Sequence, residues 1–168
     1  MSIYSRTTRI CTINQLDPAL TRALQEYFLA HHIGDLHSET RLCCETVAEK
    51  RNPGKLADWL EGNPDTTTRL VILMTTGWLI WARFGDRSGM VVTGASMKVI
   101  RIKTYTLKQT KDMQLEVTGF VNETKEYVKG NLEMGPETDA QRFCDEVGKA
   151  IDLINPPAKR KLRKWMGG

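Results

Sequence analysis

The segments MQLEVTGFV at residues 113–121 and YVKGNLEM at residues 127–134 decide the fold class of this chain. In the first, the odd-numbered positions are apolar or glycine and the even-numbered positions are polar, broken only by Phe120. In the second, Val128, Leu132 and Met134 alternate with polar side chains in the same way. A two-residue period is typical of a strand with one buried side and one solvent-facing side. The two segments are therefore predicted to be strands of a half-buried antiparallel sheet.

The same period extends upstream to Arg69 and predicts four more strands, at residues 70–74, 78–84, 90–93 and 97–107. Thr75-Thr76-Gly77 separates the first two strands and is typical of a hairpin turn. Gly94-Ala95-Ser96 interrupts the pattern with three small residues, which predicts a kink or bulge where the sheet bends. We therefore expect six consecutive strands that form one curled sheet.

A helical period replaces the strand pattern after residue 137. Thr138 and Gln141 have the spacing of a capping box. An apolar stripe follows at helical spacing, and Pro156-Pro157 is predicted to end the helix. The stripe consists of Phe143, Val147, Ile151 and Ile154.

The segment before the six strands combines strand and helix signals. Residues 6–13 alternate loosely, and Asp17-Pro18 is a capping residue followed by a helix-starting proline. The helix is predicted to continue to Gly34, with a further strand at residues 40–48. Asn52-Pro53 repeats the start signal for a short helix before residue 62.

Short antiparallel strands followed by one amphipathic helix resemble the bacterial pleckstrin-homology-like (PH-like) barrel, in which the terminal helix plugs an open end. The apolar strand 70–74, the turn 75–77 and the apolar strand from Trp78 look like the opening hairpin of that group. The resemblance covers residues 39–154 and implies an α+β fold, a partly open barrel that serves as a binding module. Residues 1–38 depart from the family as a strand-helix extension. Lipid-binding members carry a basic loop between the first two strands, and here residues 74–78 contain no Lys or Arg.

Length and composition favour a single domain over residues 1–157 followed by a basic tail at residues 158–168. The chain has a net charge of +4, and the tail alone contributes five basic and no acidic residues, so the remainder sums to −1. We find no signal peptide and no apolar run of about 20 residues. Four cysteines without a secretory context indicate free thiols in a reducing compartment, which predicts a cytoplasmic protein.

Catalytic and metal-binding motifs are weak in this sequence. His31, His32 and His37 lie near Cys43 and Cys44, but adjacent residues of a strand point to opposite faces and cannot hold one ion. Cys144 borders the apolar stripe of the last helix and is interpreted as a buried apolar residue rather than a nucleophile. Neither a Gly-x-Gly-x-x-Gly motif nor a Walker motif occurs. We therefore expect no catalytic residue, no metal and no cofactor, which disfavours an enzyme without excluding one.

Two basic regions are the candidate contact sites. Arg101, Lys103 and Tyr105 share one face of the predicted strand 97–107. This face is interpreted either as an ordinary solvated surface or as a binding surface for an acidic peptide or nucleic acid. The tail adds basic and aromatic side chains that suit a weak contact with an anionic membrane or with nucleic acid. The tail candidates are Lys159, Arg160, Lys161, Arg163, Lys164 and Trp165.

The sequence thus predicts a non-catalytic binding or scaffold module that engages another protein or a second copy of itself. One alternative is a small-ligand protein or enzyme with a pocket between the sheet and the helix at residues 17–32, using Cys43 or a histidine. The other is nucleic-acid or membrane contact through the tail.

Overall fold

The computed structural model describes residues 4–51, 64–121 and 126–156. Within these residues a short 3-10 helix spans Ile13–Gln15 and three α-helices are present: α1 (Pro18–Ala30), α2 (Leu36–Glu39) and α3 (Thr138–Ile154). The described strands are β1 (Tyr4–Ile10), β2 (Leu42–Lys50), β3 (Thr67–Met74), β4 (Trp78–Gly85), β5 (Gly89–Ser96), β6 (Arg101–Thr106), β7 (Met113–Val121) and β8 (Glu126–Met134).

The fold is α+β, with two antiparallel sheets and a C-terminal helix. Strands β1 to β5 form a five-stranded sheet in sequence order, and β6 to β8 form a separate three-stranded sheet. The expectation of one curled sheet is therefore corrected to two sheets that do not close into a barrel. Strand β1 pairs with β2 along its whole length, from Tyr4 opposite Lys50 to Ile10 opposite Cys44.

The five-stranded sheet is buried on both faces. One face packs against α1 through a cluster that includes Leu24, Phe28 and Val71. The other face packs against the three-stranded sheet and α3, in a cluster that includes Ile72 and Phe143. Cys43 belongs to the first cluster and its neighbour Cys44 to the second, so their predicted placement on opposite faces is confirmed.

Close approach between the two sheets depends on a glycine in β8. A Cβ atom added at Gly130 would lie 2.9 Å from the indole ring of Trp81 on β4. No side chain fits at that distance without moving the ring, so the glycine permits the contact between the sheets. The result is a continuous core on this side of the five-stranded sheet.

The central sequence predictions are confirmed. Residues 113, 115, 117, 119 and 121 of β7 are buried, and so are Val128, Leu132 and Met134 of β8. Six strands follow residue 66, as the two-residue period predicts. The N-terminal helix begins at Pro18, and the Asp17 carboxylate accepts a hydrogen bond from the Ala19 N–H.

The predicted kink at residues 94–96 and the long strand at 97–107 are wrong. Strand β5 runs without interruption to Ser96, and Gly94 pairs in register with Ile80 of β4. The break falls instead at residues 97–100, where Met97 and Ile100 turn into the core and are almost completely buried. Gly94 has a different role, since an added Cβ there would lie 2.9 Å from the Tyr27 hydroxyl of α1.

The predicted boundaries of the helices and of the first two strands also change. Glu137, not Thr138, precedes the first turn of α3, and no side chain caps this end, so the predicted capping box is wrong. Helix α1 ends at Ala30 rather than at Gly34, because His32 adopts a positive φ of 53°. The strands predicted at residues 6–13 and 40–48 are β1 at residues 4–10 and β2 at residues 42–50.

Two sequence predictions lie outside the described residues. The short helix predicted after residue 52 is one, and the basic tail at residues 158–168 is the other. Among the residues that are described, no helix is both long and apolar enough to cross a membrane.

Candidate functional site

Strand β6 holds the sequence-predicted contact residues of the folded body. It pairs with β7 on one side only and forms one end of the three-stranded sheet. Arg101, Lys103 and Tyr105 lie opposite polar residues of β7 on the outer face of this sheet, and all three are exposed. Ile102 lies between them and packs against the core. The structure therefore places the predicted trio together on the solvent-facing side of an edge strand.

The hydrogen-bonding register shows which main-chain groups of β6 face outward. The Leu107 N–H donates to the Asp112 carbonyl oxygen at 2.8 Å, which makes these two residues a hydrogen-bonded pair at the end of the β6–β7 ladder. Such pairs alternate along antiparallel strands, so residues 101, 103 and 105 bond to β7. The N–H and C=O groups of Ile102, Thr104 and Thr106 therefore point away from β7, to an edge that no described strand covers.

The chain segment around this edge is rich in basic residues, although Glu116 of β7 lies opposite Lys103. Between residues 97 and 111 the chain has five basic residues and no acidic one. All five are exposed, and none forms a salt bridge within the part of the chain that the structure describes. The set consists of Lys98, Arg101, Lys103, Lys108 and Lys111. We call these residues together with strand β6 the basic edge.

Sequence reasoning identified only part of this set. The absence of acidic residues from 97 to 111 was visible in the sequence and pointed to Lys98, Lys108 and Lys111. Which strand ends a sheet was not visible, because that depends on long-range pairing. The predicted tail residues lie outside the described residues, so the structure does not relate them to the basic edge.

Strand β1, an edge of the five-stranded sheet, is covered in part by side chains. The Thr8 N–H donates to a Glu137 carboxylate oxygen at 2.9 Å, and the Ile10 N–H donates to an Asp139 carboxylate oxygen at 2.8 Å. Both acids lie at the start of α3, where the helix dipole also favours negative charge. The outward N–H groups of this part of β1 are thus satisfied by side chains, and an added strand would have to displace them.

A cavity of about 690 Å³ opens along the five-stranded sheet, with Glu133 of β8 in its wall. Arg6 lies in its wall and contacts Asp112 at 3.1 Å, and it also forms an ion pair with Glu133. Arg83 lines another side and donates a hydrogen bond to the Asn131 carbonyl oxygen. Arg6 is therefore neutralised by carboxylates that connect β1 to the three-stranded sheet, which indicates a structural role.

The pocket expected between the sheet and α1 is filled by side chains. Leu20, Leu24 and Phe28 of α1 are at most 1% exposed and pack against the sheet. His31, at the end of α1, lies against Tyr27 with ring centroids 4.1 Å apart. In residues 4–51, 64–121 and 126–156, no three His, Cys, Asp or Glu side chains are grouped as metal ligands.

All four cysteines are buried free thiols. Burial raises the pKa of Cys44 well above its usual value and raises that of Cys144 to about 11. Cys11 and Cys43 differ from these two, because their sulfur atoms lie 3.5 Å apart.

Comparisons with models of protein families, with curated proteins and with solved structures found no match to this chain. The class that the coordinates define is accordingly an α+β domain with two antiparallel sheets and a C-terminal helix.

Proposed function

We propose that this chain is a non-catalytic, PH-like binding module that takes up an extended acidic segment of a partner protein at the basic edge. The observation that carries the proposal is an edge strand whose main-chain groups at Ile102, Thr104 and Thr106 face no described strand. Five basic side chains surround it and form no salt bridge with any described residue. An extended peptide adds to such an edge through main-chain hydrogen bonds.

The PH-like part of the proposal is supported by the order and packing of the elements. Seven antiparallel strands, β2 to β8, occupy most of residues 39–154 and are followed directly by α3. Helix α3 packs against β1 and β2 of one sheet and against β7 of the other. A terminal helix across the gap between two sheets agrees with the resemblance to that barrel, although the sheets here are open.

Charge favours an acidic partner over a second copy of this chain. Two β6 strands paired edge to edge would bring Arg101 and Lys103 of one copy near the same residues of the other. Like charges on neighbouring strands are destabilising. A carboxylate-rich strand would instead place opposite charges in register with these side chains, which also accelerates association.

The proposal is tested by fluorescence polarisation with a labelled eight-residue peptide that alternates glutamate and valine. A peptide that alternates lysine and valine is its matched control. We expect the acidic peptide to bind, with an affinity that falls as salt is added, and the basic peptide not to bind. Equal binding of both peptides would contradict the proposal.

Two variants separate main-chain pairing from charge. Thr104→Pro removes one outward N–H without removing a β6–β7 hydrogen bond, so we expect the fold to persist and the affinity to fall about tenfold, or roughly 1.4 kcal/mol. Lys103→Glu reverses one charge of the basic edge and should weaken binding by a similar factor. Arg22→Glu makes the same charge change at an exposed position on α1 and should leave binding unchanged.

The variants also identify the competing functions. If a single-stranded oligonucleotide binds with a steep salt dependence and Thr104→Pro has no effect, nucleic-acid contact replaces strand addition as the function. If the wild-type chain dimerises at micromolar concentration and Thr104→Pro is monomeric, the edge serves self-association.

A further inference from the structure

Cys11 and Cys43 are opposite each other at the end of the β1–β2 ladder. The Cys11 N–H donates to the Cys43 carbonyl oxygen at 3.0 Å, which continues the register that pairs Ile10 with Cys44. The two sulfur atoms are 3.5 Å apart, although the residues are 32 positions apart in sequence. The pair is independent of the basic edge, which belongs to the other sheet.

The backbone spacing at this position suits a disulfide. Directly opposed residues in a hydrogen-bonded pair have Cα atoms about 5.5 Å apart. Disulfides span Cα distances of about 4.4–6.8 Å, with an S–S bond of about 2.05 Å. The sulfurs, now 3.5 Å apart, therefore need to approach each other by about 1.5 Å to form the bond.

The two thiols are not equivalent. Cys11 is 9% exposed and lies after the end of β1, whereas Cys43 is 3% exposed and lies within β2. A hydrogen bond from the Cys43 thiol lowers the pKa of Cys11, and the positive charge of Arg9 acts in the same direction. The same interaction raises the pKa of Cys43. Cys11 is therefore the thiol that ionises first and that solvent reaches more easily.

We propose that Cys11 and Cys43 form a reversible oxidation site in which a peroxide converts the two thiols into a disulfide that joins the end of β1 to β2. Cys11 is the attacking thiol and Cys43 the resolving thiol. The bond fixes the position of β1, the strand whose outer edge is covered by Glu137 and Asp139.

The chemistry balances with hydrogen peroxide as the oxidant. The Cys11 thiolate attacks one peroxide oxygen, an S–O bond forms, the O–O bond breaks, and the departing hydroxide takes up a proton as water. The Cys43 sulfur then attacks the Cys11 sulfur, so an S–S bond forms and the S–O bond breaks. The Cys43 proton leaves with the hydroxide as a second water. Two thiols lose two electrons and one peroxide gains them.

The test uses the reduced full-length chain and hydrogen peroxide. After oxidation the chain is unfolded in acid and its remaining thiols are alkylated, and the intact mass is measured. We expect two of the four cysteines to resist alkylation, a peptide map that links Cys11 to Cys43, and full recovery of the alkylation sites after dithiothreitol.

The neighbouring Cys44 provides the matched control. Cys44→Ser should form the same disulfide, because Cys44 belongs to the core on the other face of the sheet. Cys43→Ser should instead leave Cys11 as a sulfenic acid that dimedone traps. Four alkylated thiols after oxidation of the wild-type chain, or a link between Cys44 and Cys144, would overturn the proposal.

Discussion

Strands β1 and β6 are both sheet edges, but their outward-facing main-chain groups differ in whether they have hydrogen-bond partners among the described residues. The N–H groups of Thr8 and Ile10 on β1 donate to carboxylates at the start of α3. The corresponding groups of β6, at Ile102, Thr104 and Thr106, face an edge with no described strand beside it. An open edge exposes a template for pairing, which natural sheets either cover or use.

The charges around the two edges follow the same division. Acidic side chains lie beside β1, where they accept hydrogen bonds from its N–H groups and form a salt bridge with Arg6. They therefore stabilise the fold. Basic side chains surround β6 and form no salt bridge within the described residues, so they remain available to a partner. Comparing the edges therefore separates charge that stabilises the fold from charge that is free to bind.

The largest expected effect comes from breaking the attachment of β1. Arg6 is 11% exposed at its side chain and contacts Asp112, which is 6% exposed, at 3.1 Å. Arg6→Met would leave the Asp112 carboxylate buried without its guanidinium partner. Removing one member of a buried pair costs about 3–5 kcal/mol, and we expect the lower part of that range because Glu133 is half exposed. Urea unfolding measures the loss.

Arg22→Met provides the control for this measurement, because Arg22 is exposed on α1. We expect the change in its unfolding free energy to stay within about 0.5 kcal/mol. If Arg6→Met loses less than about 1 kcal/mol, the ion pairs do not anchor β1, and hydrogen bonds such as those to Glu137 and Asp139 hold its edge instead.

An intermediate effect is expected from uncovering one N–H of β1. Asp139→Ala removes the acceptor of the Ile10 N–H, and a hydrogen bond to a charged group contributes about 1.5–3 kcal/mol. We expect a loss of about 1.5 kcal/mol, because the bond is only partly buried. In hydrogen exchange, the Ile10 amide should lose protection and approach the fast exchange expected for Thr104.

Asp145→Ala on the same helix is the matched control, since Asp145 is exposed and accepts a hydrogen bond from Gln141, four residues earlier on the same helix. It should leave exchange at Ile10 unchanged. Slow exchange at Thr104 in the wild-type chain would mean that β6 is covered and would remove the contrast between the edges.

Local patterns explain how much of this organisation the sequence predicts. The two-residue period of β7 and β8 and the apolar stripe of α3 are set by side chains within a few positions of one another, so both were predicted. The Asp17-Pro18 start of α1 is equally local. Arg101, Lys103 and Tyr105 were placed on one face by the same period, without knowledge of the edge.

Features that depend on distant residues were not predicted. The small residues 94–96 gave the signature of a kink, but Gly94 is small because Tyr27 of α1 packs against it. Thr138 and Gln141 gave the signature of a capping box, yet their neighbours Glu137 and Asp139 are the residues that bond, and their partners are N–H groups of β1, about 129 residues away. In both cases a long-range contact occurs where local reasoning predicted a kink or a cap.

The smallest expected effect concerns the ionisation of Tyr27, which packs against Gly94 of β5 at the other end of the five-stranded sheet. Burial raises the pKa of Tyr27 to about 12, while a hydrogen bond from the Gly94 main chain acts in the opposite direction. An unfolded tyrosine ionises near pH 10, so between pH 10 and 12 the unfolded chain releases a proton that the folded chain keeps. The stabilising contribution of neutral Tyr27 is therefore complete below pH 10 and declines as the pH rises through this window.

Tyr27→Phe removes that ionisation, so the stability of the variant should fall less steeply than that of the wild type from pH 10 to 12. Urea midpoints at half-unit intervals of pH measure the difference between the two curves. Curves that stay parallel would mean that Tyr27 ionises equally in both states and is not buried in the folded chain. Diverging curves would confirm that Tyr27 is buried where it packs against Gly94 of β5.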